Sequence, residues 1–110
     1  MPPELIKTIL AFVEKAQKYT GKTITIKEYL SINKDNFDRH FTTVTHFGFL
    51  LEQIAARMSG NKIMIHGKAT GYEIHADAII QFADLAEDEY MILERLSDTV
   101  YRKTVLLFSV

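Results

Sequence analysis

Residues 37–58 read FDRHFTTVTHFGFLLEQIAARM, and whether they form one helix or separate elements decides the fold. Phe37, Phe41, Val44, Phe47, Gly48, Leu51, Ile54, Ala55 and Met58 fall on one stripe at helical spacing. Asn33 and Asp35 offer an N-cap ahead of the stripe, and Ser59-Gly60-Asn61 a stop behind it. The pattern predicts one long helix over about 35–59. The run Thr42-Thr43-Val44-Thr45 and Gly48 are poor helix formers, which leaves a break near Gly48 open.

Upstream, Leu5, Ile6, Ile9, Leu10, Val13 and Ala16 recur at helical spacing. Pro3 suits the first turn, Glu4 the positive end of the dipole, and Gly21 a left-handed stop. A first helix over about 4–19 follows. Thr25 and Glu28 are spaced as a capping box, which predicts a short turn of helix over 26–31.

Downstream the period changes to two. Tyr72, Ile74, Ala76, Ala78, Ile80 and Phe82 alternate with mostly polar residues, as in a half-buried strand over about 72–83. A turn at Thr70-Gly71 pairs this strand with 62–68, setting Ile65 opposite Ala76, His66 opposite His75 and Lys68 opposite Glu73. Two more strands, about 89–96 and 100–108, complete a four-stranded antiparallel meander. The fold class expected is α+β, helices first and sheet second, in a single domain spanning 1–110.

Composition narrows the function. The 110 residues are 47% hydrophobic and 25% charged, as in an ordinary globular chain, and 110 residues support one core. The absence of cysteine excludes thiol catalysis, thiolate zinc sites and disulfides. A net charge of −1 argues against bulk electrostatic binding of nucleic acid. Within it, residues 1–60 carry eight Lys/Arg against six Asp/Glu, and residues 61–110 carry five against eight. No run approaches the roughly 18 apolar residues of a membrane span, and Met1-Pro2-Pro3-Glu4 does not open like a signal peptide. A cytoplasmic protein without membrane contact is expected.

No Gly-x-Ser-x-Gly, His-Glu-x-x-His or Ser-x-x-Lys pattern is present, and the glycines near Lys62 and Lys68 have the wrong spacing for a phosphate loop. Neither a catalytic residue nor a cofactor is expected. His66, His75 and Asp77 would share the polar face of the hairpin, a candidate metal set for a small ligand- or metal-binding protein. The last two strands are apolar on both faces, which calls for a partner subunit, a ligand cavity or a sheet closing on itself. As the last strand of a meander, 100–108 would also be an apolar edge, with Val105, Leu107 and Phe108 as a homodimer interface. The leading expectation is a non-enzymatic homo-oligomeric interaction or adaptor module.

Thr25 to Leu30, then Asn33 to Phe47 with Arg39-His40 within it, then Gly48-Phe49-Leu50, resembles the helix-turn-helix of winged-helix regulators. That resemblance implies a dimeric DNA-binding protein in which the 62–77 hairpin is the wing. It also implies that Lys34, Asn36, Arg39, Thr42 and Thr43 face the groove and phosphates. The order of helices before meander is similar to that of dynein light chains, without a shared motif and hence without functional weight.

Overall fold

The computed structural model describes residues 3–35, 37, 42–57 and 61–109. An N-terminal helix is followed by antiparallel strands in two sheets, an α+β fold whose sheet is larger than four strands. Helix α1 spans Pro3–Ala16 and runs into a 3-10 turn at Gln17–Tyr19, so the first helix ends where its caps place it.

The next segments differ from expectation. Thr23–Ser31 is strand β1, not a turn of helix over 26–31. Ile24 and Ile26 point inward and alternate with Thr25 and Lys27, and the β-branched residues favour the pleat over the capping box. The long helix over 35–59 is absent from the described part of that range. Thr42–Leu50 is strand β2 and Gln53–Arg57 is strand β3, with the chain turning at Leu51-Glu52. Four β-branched residues in succession outweigh a stripe that is an accident of where the phenylalanines fall.

Lys62–His66 forms β4 and Gly71–His75 forms β5. Their register puts Ile65 opposite Tyr72, Ile63 opposite Ile74 and His66 opposite Gly71, four residues from the expected pairing. The shift is even, so the same residues still face the core. Its cause is a four-residue turn in which the Gly67 N–H donates to the Thr70 carbonyl at 2.7 Å. A Cβ on Gly67 would sit 2.6 Å from Phe49 Cδ2 and 2.9 Å from the Leu50 carbonyl, so only glycine lets this turn lie against the end of β2.

The expected long strand 72–83 is two strands. A 3-10 turn at Ala76–Ala78 carries the chain from β5 into β6, Ile79–Ala86, in the other sheet. Strands β7, Glu89–Arg95, and β8, Tyr101–Phe108, stand within a residue of the expected 89–96 and 100–108. One sheet has the order β2-β1-β8-β7-β6 and the other β3-β4-β5. Strand β8 is therefore central, flanked by β1 and β7, and not the edge that a simple meander requires. The chain follows an eight-stranded up-and-down path that is divided into two open sheets between β2 and β3 and between β5 and β6, with β1 also pairing β8.

Most of the buried apolar residues form one cluster, with Leu93 and Val105 outside it. Near α1 it is aromatic: the Phe12 ring lies 5.2 Å from Phe82 and 4.7 Å from Tyr90, and Tyr19 stacks on Phe108 at 4.1 Å. Among the described residues no helix is long and apolar enough to cross a membrane.

Candidate functional site

At the end of the core away from Phe12, the inward-facing row changes from apolar to polar. Along β7 it runs Tyr90, Ile92, Glu94; along β8 Phe108, Leu106, Thr104, Arg102; along β1 Ile24, Ile26, Glu28. Glu94 is fully buried, yet both its oxygens are satisfied. Arg102 Nε donates to Oε1 at 2.8 Å, while Arg102 Nη2 and the His75 backbone N–H each donate to Oε2 at 2.9 Å. Arg102 Nη2 also donates to the Glu73 carbonyl at 2.7 Å, and Nη1 reaches Glu28 at 3.4 Å.

Tyr72 of β5 closes the group. Its hydroxyl donates to Glu28 Oε2 at 2.9 Å, so its single proton is used and the Thr104 hydroxyl, 2.8 Å away, donates to it. Burial pushes the Tyr72 phenol above its ordinary value, although the Thr104 hydrogen bond and the charge of Arg102 act the other way. Burial alone would lower the Arg102 guanidinium; the hydrogen bonds and charge of Glu94, joined by Tyr72 and Glu28, outweigh it and hold it raised.

This group does more than join two sheets. The His75 N–H and the Glu73 C=O are backbone groups of β5 on the side away from β4, the positions that another strand would pair. Glu94 and Arg102 occupy them, so the free edge of β5 is capped by side chains. The remaining edges are managed differently. Strands β3 and β6 lie against α1, and β6 carries two register shifts and Asp84. Edge strands are commonly blunted in such ways.

Strand β2 is the exception. Its nine residues, Thr42–Leu50, pair with β1 in unbroken register and contain no Asp, Glu, Lys, Arg or Pro. Among the described residues β1 is its only strand neighbour. Thr43, Val44, Thr45 and His46 are all exposed, while the end at Leu50 is approached by Gly67. A long, regular, uncharged edge presents unpaired amides and carbonyls to any extended strand.

Of the residues singled out from sequence, His75 and Asp77 line one open cleft. His66 lies opposite Gly71 and His75 opposite Lys62, and among the described residues no three His, Asp or Glu side chains are grouped to hold a metal. Lys62, not Lys68, is the partner of Glu73, at 2.9 Å, and this ion pair holds the exposed Glu73 carboxyl below its usual range. Of the DNA-facing set, Lys34 is in a turn and Thr42 and Thr43 open β2, while Asn36 and Arg39 lie outside the described residues. Within the helix-turn-helix resemblance, 25–30 and 42–50 are strand and none of the described residues is helical. Val105 and Phe108 are buried and Leu107 is half-buried, all on a strand paired on both sides, so β8 offers no edge for a second copy.

The cavities are small or open. A crevice of about 80 Å³ between α1 and β4 is lined by Ile6, Ile9, Leu10 and Ile63, and an open cleft lies beside His75, Asp77 and Arg95. Compared with known proteins, the chain matches no family model, no curated protein and no solved structure.

Proposed function

We propose that the protein is a small non-enzymatic interaction module that works by accepting an extended strand on the free edge of β2. The observation that carries this reading is the contrast among edges: β3, β5 and β6 are each covered, capped or bulged, and β2 is left open and uncharged. Main-chain hydrogen bonds supply affinity in strand addition, and alternate side chains supply selectivity. On β2 the outer row is Val44, His46 and Gly48, so an uncharged ligand strand with β-branched or aromatic residues fits best.

A displayed library of random nonapeptides, selected on the full chain, tests this. Retained peptides should be uncharged and rich in Val, Ile, Thr and aromatics. They should lose at least tenfold in affinity to the Val44→Lys variant, which places a charge on the edge. Peptides that bind Val44→Lys as well as the parent would place the interaction elsewhere and end this reading.

A further inference from the structure

Resting on that reading, we infer that the strand received by β2 is the β2 of a second copy, paired antiparallel about a two-fold axis centred on His46. Directly opposed residues in an antiparallel pair put their side chains on the same face. A symmetric pairing of identical strands must therefore join residues whose numbers sum to an even value, so that one residue faces itself. Because Gly67 closes the edge at Leu50, the free run is 42–49, and two registers use seven of its residues. One is centred on Thr45 and the other on His46.

Side-chain chemistry separates them. Centred on His46, the core-side row pairs Thr43 with Phe49 and Thr45 with Phe47, each a β-branched residue against an aromatic. The outer row pairs the exposed Val44 with Gly48, which leaves room for it, and His46 with its own mate. Centred on Thr45, Phe49 falls outside the seven pairs and Val44 meets an imidazole. The lack of any charge on β2 is what makes self-pairing acceptable, since a charged residue near the axis would stand close to its own copy. A partner of opposite charge would find nothing on this edge to recognise.

The register has a consequence. Two imidazoles face each other with Cβ atoms about 5 Å apart, and histidine changes charge between about pH 5 and 8. Within its own chain His46 faces Lys27 across β1 and stands T-shaped to the Tyr29 ring, 6.3 Å between centroids, and Lys103 Nζ lies 4.7 Å from the centre of the same ring. No carboxylate faces it from the strand it pairs with. Protonation therefore adds two like charges at the axis beside existing cations, and the pair should separate as pH falls.

The chain has no cysteine, so single cysteine variants report the register cleanly. Under oxidation His46→Cys should form a covalent dimer, because the opposed Cα atoms lie within disulfide range. Thr45→Cys should not, because its mates are two residues out of line. Sedimentation of the unmodified chain up to millimolar concentration should show a dimer that weakens at least fivefold from pH 8 to pH 5.5, and His46→Gln should remove that dependence. A chain that stays monomeric throughout overturns the second copy while leaving the peptide selection to judge strand addition by itself. A dimer that crosslinks through Thr45→Cys and not His46→Cys overturns the register.

Discussion

Replacing Arg102 by Met removes the group that satisfies Glu94. The fully buried carboxylate then keeps one donor, the His75 N–H at 2.9 Å, and loses the two guanidinium bonds at 2.8 and 2.9 Å. Breaking a buried ion pair from one side costs about 3–5 kcal/mol, because the remaining charge stays desolvated without compensation. The Glu73 carbonyl also loses its partner, and Glu28 keeps only the Tyr72 hydroxyl, although its partial exposure lets water replace Arg102. A domain of this size has a total stability of about 5–15 kcal/mol, so the loss is a large share of it. With a urea slope of about 1.5 kcal/mol per molar, the unfolding midpoint should fall by about 2–3 M. Adding Glu94→Met to the same chain should recover most of that loss, since an apolar pair of similar volume replaces a charge that had no partner. A shift under about 0.5 M for Arg102→Met, or a double variant no more stable than the single, would show that the ion pair does not hold the two sheets together.

Two further outcomes follow from the same geometry. Gly67→Ala forces a methyl to within 2.6 Å of Phe49 and 2.9 Å of the Leu50 carbonyl, and should cost about 1–3 kcal/mol by chemical unfolding; a neutral result would mean that the β4–β5 turn does not lie against β2. Tyr72 and Tyr19 are both raised, chiefly by burial, so their neutral forms contribute stability below about pH 10 that is lost as pH rises above it. In an alkaline absorbance titration Tyr19 and Tyr72 should ionise only as the chain unfolds, and Tyr72→Phe should shrink the phenolate absorbance gained at the unfolding transition; a transition that brings no gain in phenolate absorbance would contradict the burial.

Helix α1 was legible because apolar spacing, a proline in the first turn and a glycine beyond the end all agreed. Over 42–58 the signals conflicted. Phe41, Val44, Phe47, Leu51 and Ile54 trace a helical stripe, but Thr43, Thr45, Phe47 and Phe49 also trace one face of a strand. The deciding term is local, the succession Thr42-Thr43-Val44-Thr45, whose stiff side chains fit the pleat. The break within 72–83 had no such marker. Alternation carries on through Ala76 and Ala78 while the chain changes sheets, because small residues satisfy both faces. The polar group at the sheet junction joins residues 28, 72, 94, 102 and 104, which no local pattern links. A signal did exist: Glu94 and Arg102 stand at inward positions of strands whose other inward residues include Tyr90, Ile92 and Leu106.

The two-faced apolar strands at the C-terminus called for a cover, and the structure supplies it from within. Leu106 and Phe108 belong to the core, Phe108 against Phe12, Tyr19 and Tyr90, and Val105 and Leu93 on the other face are already buried in the lone chain. Apolar faces therefore give no reason for a partner. Edges do. Pairing β1 with β8 turns the terminal strand into an interior one and transfers the edge to β2, which has neither the helix cover, the side-chain caps nor the bulges that protect the others. Capping β5 uses a fully buried Glu and a largely buried Arg, whose bonds to the His75 N–H and the Glu73 carbonyl an apolar pair could not make. On the proposed reading, a fold that blunts one five-residue edge in this way and leaves the run 42–49 of β2 uncharged is one that reserves that edge for pairing.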